Sequence, residues 1–231
     1  MIAYLVSSCQ KFGNNHNSDL KLAMKLIQSS KDAGADGVKF QTFKADSLVT
    51  NKADKADYQK KLTGKDESHF EMIKRLELDK PAHEELISYC SQKKIQFLST
   101  AFDIESANFL SDLNVPAYKI ASGDLRSTPL LKHVASFGKP MIISTGGASL
   151  DQIQHAYDTI MPINKQLCIL QCTAEYPALF DELDLGVITN FRKQFADAVI
   201  GFSGHDNGIA MAVVAFVLGA RVVEKHFTLN R

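Results

Sequence analysis

Eight short apolar runs, each divided from the next by a stretch with helical spacing, constrain this chain more than any other feature. They are "IAYLVSS", "GVKFQTF", "IQFLSTAF", "AYKIASG", "PMIISTG", "LCILQCT", "AVIGFSGH" and "RVVEKHF". After the first run, Leu20, Ala23, Met24 and Ile27 fall at i, i+3, i+4 and i+7, one face of a helix. Ser149 and Gln152 fit a capping box opening "LDQIQHAYDTI", and Thr128 with Pro129 reads as an N-cap followed by a favoured first helical residue. Strand and helix in strict alternation predict a parallel sheet with helices outside it, and eight repeats predict a (β/α)8 TIM barrel. An open doubly wound sheet is the rival, but no Gly-rich phosphate-binding turn follows an early strand.

No composition shift or linker divides the chain, so residues 1–231 are read as a single barrel domain. Only "TLNR" follows the eighth run, and the barrel is expected to lack its final helix. One of two things is then expected: the natural protein is longer, or the chain associates through the uncovered face between Ile2–Val6 and Val222–Phe227, as in a homodimer. The charge-dense segment "KADSLVTNKADKADYQKKLTGKDESHF" has two readings, a solvated excursion or a lid over the barrel mouth.

Lys plus Arg and Asp plus Glu are both 26, a formal net charge of zero. That excludes a global basic field for nucleic acid or anionic lipid; an anionic ligand would need a local positive cluster. No apolar run reaches the length of a membrane span, and the N-terminus lacks a signal-peptide pattern. Four cysteines are too sparse for a disulfide framework, so a cytoplasmic setting is expected. Cys168 and Cys172 flank "ILQ" on an apolar strand and read as buried small hydrophobes, not as zinc ligands.

Strands buried on both faces should be almost continuously apolar. Here nearly every one turns polar at its C-terminal end, where this fold places active sites. Lys39 and Gln41 share one face of the second strand. Ser99 and Thr100 end the third, and Lys119, Ser122, Gly123 and Asp124 follow one another at the fourth. Ser144 and Thr145 precede two glycines at the fifth, Ser203 and His205 share a face of the seventh, and Glu224 and His226 one of the eighth. Two lysines with several hydroxyls suit a phosphate or a phosphorylated carboxylate. His205 and His226, from adjacent strands, can converge on one divalent cation. Lys225 has the opposite parity and is expected to point outward or pair with a neighbour.

These residues resemble the sialic acid synthases, which condense phosphoenolpyruvate with an N-acylated amino sugar. The resemblance rests on "NNHNSDLKLAMKLIQSSKDAGADGVKFQTF", "FLSTAFD", "VPAYKIASGDL", "LLKHVASFGKPMIISTGGAS", "LQCTAEYP", "GFSGHD" and "VEKHFTLNR", in order and spacing. It implies that Lys39, Gln41, Thr100, Lys119, Ser122, Ser144 and Ser203 hold phosphoenolpyruvate. His205 and His226 fall on metal ligands, normally of Mn2+ or Mg2+. Asp124 stands where the family often has a carboxylate near the reacting carbons, and Tyr176 lies in the segment approaching the sugar. Lys39, Lys119, Asp124 and His226 are the expected catalytic residues. The implied product is a sialic-acid-like nonulosonic acid, with phosphate released. Three departures stand out: Lys11 replaces a glutamate, Ala174 replaces a polar residue, and the family's last helix and small antifreeze-like domain are absent. A truncated or non-catalytic paralogue that keeps the phosphoenolpyruvate and metal pocket without turnover is therefore the alternative. A Schiff-base lyase using Lys119 is a third reading, which the two histidines disfavour.

Overall fold

The computed structural model describes residues 7–12, 15–50 and 68–229. Eight strands are present: β1 (Ser7–Lys11), β2 (Gly37–Thr42), β3 (Gln96–Ala101), β4 (Tyr118–Ile120), β5 (Met141–Ser144), β6 (Leu167–Cys172), β7 (Val199–Gly204) and β8 (Val222–His226). The described helices are α1 (Leu20–Asp32), α2 (Ala45–Leu48), α3 (His69–Arg75), α4 (Lys80–Lys93), α5 (Ile104–Asp112), α6 (Thr128–Ser136), α7 (Leu150–Ile160), α8 (Gly186–Gln194) and α9 (Ala210–Val217). Every neighbouring strand pair is parallel, and β1 also pairs with β8, which closes the barrel. This is the (β/α)8 architecture that the strand–helix alternation predicts. Residues Ile2–Val6, one side of the expected pairing face, lie outside the described residues, as do 51–67 of the suggested lid.

Alternation along each strand divides the wall into two faces. Phe40, Phe97, Tyr118, Ile120, Ile143, Ile169 and Phe202 point outward and pack beneath Leu26, Ile27, Leu86, Leu110, Leu131, Ile153 and Ile188 of the helices. The helix starts explain themselves locally. The Asp19 carboxylate accepts from the Lys21 and Leu22 amides at the head of α1, and the Ser149–Gln152 capping box is present at α7. At α6 the N-cap is Ser127, not Thr128; the Thr128 hydroxyl is engaged with His155 Nε2 at 3.0 Å and is unavailable for capping.

The inward faces enclose two cavities, one at each end of the barrel. The cavity at the N-terminal end, about 550 Å³, is lined largely by apolar groups, including Cys9, Leu98, Ile142, Cys168 and Val222. The cavity at the C-terminal end, about 340 Å³, carries the polar residues. Gly201 lies between them, and its missing side chain matters. A Cβ there would stand 2.4 Å from Leu170 Cδ2 and 2.5 Å from the Val222 carbonyl oxygen, and the latter, being backbone, cannot turn aside. Gly201→Ala is expected to destabilise the fold by about 1–3 kcal/mol through overpacking, read by urea unfolding.

The described residues contain no helix long and apolar enough to cross a membrane. All four cysteines are free and buried, as small hydrophobes would be. Burial pushes the Cys9 and Cys168 thiols up to about 12, so neither is an available thiolate.

Candidate active site

The C-terminal cavity gathers side chains from across the barrel. Its lining includes Lys39 and Gln41 of β2, Thr100 of β3, Lys119 of β4, Ser144 of β5, Cys172 of β6, Ser203 of β7 and Glu224 of β8. Lys11, Ser122, Tyr176 and His205 complete the wall among residues singled out by sequence. Two sequence candidates stand elsewhere. Asp124 is not part of the lining; it ends a short 3-10 turn, Ser122–Asp124, and its amide bonds to the Ala121 carbonyl. Burial raises its carboxyl to about 6. His226 sits at the exposed rim, above Glu224 on the same face of β8.

Both inner lysines are buried, at 3% exposure each, and each is fully engaged. Lys119 Nζ donates to Ser144 Oγ and to the Ile120 carbonyl, both at 2.7 Å. Lys39 Nζ lies 3.1 Å from Glu224 Oε2 and 3.4 Å from Thr100 Oγ1. Glu224 takes a further bond from the Ser203 hydroxyl at 3.0 Å. Burial pushes the Glu224 carboxyl up, but Lys39, Lys119 and Lys11 outweigh it and hold the group well below the ordinary carboxylate range. Lys119 has no carboxylate bonded to it. Burial lowers it to about 7, the repulsion of Lys39 and Lys11 adds to that, and Glu224 opposes it.

Backbone donors join the hydroxyls beside Ser122. The Gly146 amide donates to Ser122 Oγ at 2.9 Å, and a Cβ at Gly146 would come within 3.1 Å of that oxygen and 3.2 Å of Ala174 Cβ. Glycine keeps this approach open.

Sequence reasoning left Glu224 without a role. Glu224 was visible as a charge in an apolar strand, but its partner Lys39 lies two strands away around the closed barrel. Lys225 behaves as its parity predicts: its Nζ bonds the Asp206 carbonyl at 2.7 Å and Asp206 Oδ1 at 2.8 Å, on the outer side of the wall. The serine–threonine pair at the end of β3 also divides by parity. Thr100 enters the cavity, while Ser99 faces the helices and bonds Thr42 Oγ1 at 2.7 Å, which in turn contacts His83 Nε2 at 2.9 Å.

The two histidines converge. Their ring centroids are 5.4 Å apart, and Tyr176 stacks on His205 at 4.0 Å while meeting His226 edge-on at 5.6 Å. His205 Nδ1 lies 2.7 Å from the Thr173 carbonyl, which can only accept, so Nδ1 carries the proton and Nε2 the lone pair. Burial, with Lys11 as the largest charge, lowers His205 to about 4; the same two influences lower His226. A neutral imidazole with one nitrogen fixed by a carbonyl, as in His205, suits a divalent cation. Among the described residues no set of three His, Cys, Asp or Glu side chains could hold a metal. The pair therefore fits a cation as two ligands of an open site whose other positions would fall to water or substrate.

Comparison with known proteins identifies the family of the chain. A model of the NeuB family matches residues 26–231. The chain belongs to the NeuB family. This NeuB-family chain is 44% identical over 222 residues to an N,N'-diacetyllegionaminic acid synthase of Campylobacter jejuni, covering 95% of the chain and 66% of that protein. It is 38% identical over 222 residues to the human N-acetylneuraminate-9-phosphate synthase, covering 96% of the chain and 61% of the relative. The chain thus spans less than two thirds of the length of these relatives. Among solved structures, an N-acetylneuraminic acid synthetase of Leptospira borgpetersenii, in complex with citrate, superposes with a TM-score of 0.85 at 29% identity. That match covers 98% of this chain and 74% of the other. The family thus includes sialic and legionaminic acid synthases.

Proposed function

We propose that this chain condenses phosphoenolpyruvate with an N-acyl amino-sugar aldehyde of the N-acetylmannosamine type, forming a nonulosonic acid and releasing phosphate in the cytoplasm. One observation carries the reading: two buried lysines, with hydroxyls around them, share a cavity in which the one lining carboxylate among the described residues, Glu224, is already occupied. Such a cradle is net positive and suits a small, multiply charged anion.

In this scheme Lys39, Lys119 and the Ser144 and Ser203 hydroxyls hold the phosphate and carboxylate groups, with Gln41, Thr100 and Ser122 fixing the orientation. C3 of the enolpyruvyl group faces the rim and bonds to the aldehyde carbon. Water adds at C2, and phosphate departs with cleavage of its C–O bond. The lysines stabilise charge as it moves from the enol phosphate to the departing phosphate. His205 and His226 would hold a Mn2+ or Mg2+ ion, which when bound supplies Lewis-acid polarisation of the aldehyde oxygen. Tyr176 is exposed at the rim and would meet the sugar in this scheme. The test is incubation with phosphoenolpyruvate, Mn2+ and a panel of N-acyl hexosamines, following phosphate release and product mass. Phosphate release that needs no sugar, or none with any sugar, would overturn the condensation.

A pH dependence follows from Lys119. In the empty cavity it is half protonated near pH 7, and an entering anion favours its charged form. Binding therefore takes up a proton above pH 7. Affinity is expected to fall with rising pH by up to about tenfold per unit above 7. Calorimetry at pH 8 in buffers of different ionisation enthalpy should register the uptake. A pH-independent affinity between 6.5 and 8.5 would remove Lys119 from the contact.

A further inference from the structure

Lys11 ends β1 and is paired on one side with Lys39 of β2 and on the other with His226 of β8. Parallel neighbours in direct register project the same way, so the ammonium of Lys11 belongs to the inner face of the wall beside the histidines. Its Nζ lies 3.4 Å from the Tyr176 hydroxyl and 5.5 Å from the centre of that ring. The same ring touches both His205 and His226. A fixed positive charge therefore stands one aromatic ring away from the candidate ligands of a divalent cation. Among the described residues lining the cavity no carboxylate is spare to offset it. Glu224 is the carboxylate of the cavity lining, and its two oxygens are taken by Lys39 and Ser203.

Three lysines against one committed carboxylate leave the empty cavity repulsive to a dication. An anion with two or three negative charges reverses that sign. We propose that Lys11 makes the cation site of His205 and His226 conditional, holding a divalent cation well only after a multiply charged anion has entered the lysine-lined cavity. The inference rests on the proposed phosphoenolpyruvate reading for the identity of the anion, but the repulsion by Lys11 stands on the geometry alone. At an effective dielectric of about 35–70, a rim value between the protein's and bulk water's, a dication set about 7 Å from an ammonium loses roughly 10- to 100-fold in affinity. Linkage makes the effect mutual: the anion must also bind more tightly once the cation is present.

Titration of Mn2+ into the protein, read by loss of the free-ion electron paramagnetic resonance signal, tests this without any turnover. Wild type is expected to bind Mn2+ weakly alone and at least tenfold more tightly with saturating phosphoenolpyruvate. Lys11→Gln should bind Mn2+ alone about 10- to 100-fold more tightly than wild type, which narrows the gap between the two conditions. Lys11→Arg, which keeps the charge, should behave like wild type, an outcome that a purely steric role for Lys11 would not give. Lys11 is half-buried at the rim, so these variants are expected to fold. Equal Mn2+ affinity of wild type and Lys11→Gln without anion overturns the proposal. So does wild type binding Mn2+ as tightly without the anion as with it. Failure of phosphoenolpyruvate to bind in calorimetry sinks the functional reading instead, while the anion-free comparison still decides the role of Lys11.

Discussion

Lys119→Met is expected to weaken phosphoenolpyruvate binding by about 100-fold or more, the scale seen when one charged or preorganised donor is removed from a closed site. Methionine keeps the length of the stem and removes the ammonium. The loss should not come from unfolding. Lys119 is buried and lacks a bonded carboxylate, so its charge costs the fold stability, and the variant should be at least as stable as wild type. Calorimetry with phosphoenolpyruvate, beside a urea unfolding curve, separates the two effects. Unchanged affinity in a folded variant would remove the anion from this cavity.

Glu224→Ala is expected to act in the opposite way, on stability first. It leaves Lys39 buried at 3% exposure with only the Thr100 hydroxyl, at 3.4 Å, beside it. Removing one partner of a buried pair typically costs about 3–5 kcal/mol, a large share of a domain stability of about 5–15 kcal/mol. The double variant Glu224→Leu with Lys39→Met, which leaves no charge unpaired, should recover most of the loss. The pH signature is fixed by the direction of the shift. The Glu224 carboxyl is held below its unfolded value, so its contribution is complete above about pH 4.3 and is lost as pH falls further. Glu224→Ala should therefore flatten the acid limb of the stability curve. An acid limb identical to wild type would show that the pair contributes nothing to folding.

Much of this was legible in the sequence because strand parity is a strict rule. Lys39 with Gln41, Ser203, and Glu224 with His226 could be placed on the inner face from spacing alone, and the strand–helix period carried the barrel. The losses came where local spacing is silent. Lys39 meets Glu224 only because closure brings the first and last strands together, and Lys11 meets Tyr176 of the segment after β6 across the barrel mouth; neither contact has a short-range signature. Asp124 failed to join the lining for the converse reason. It is two residues from Ser122, but the chain has left the strand, and parity no longer applies once a 3-10 turn begins. Ser99 shows the same rule from the other side: a polar residue at the end of a strand belongs to the site only when its parity agrees.

Adjacent residues of β8 carry opposite charges to opposite sides of the barrel wall. Glu224 is tied inward to Lys39 and Ser203, and Lys225 outward to Asp206, whose side chain is fully buried. A strand that closes a cylinder could in principle zip up one residue out of place, since backbone hydrogen bonds alone do not distinguish neighbouring alignments. Here such a slip would turn a lysine toward the lysine-lined interior and a glutamate toward apolar helices, breaking both ion pairs together. The charges that interrupt an otherwise apolar strand thereby work as a lock on assembly, admitting one alignment of the closing seam and penalising the next.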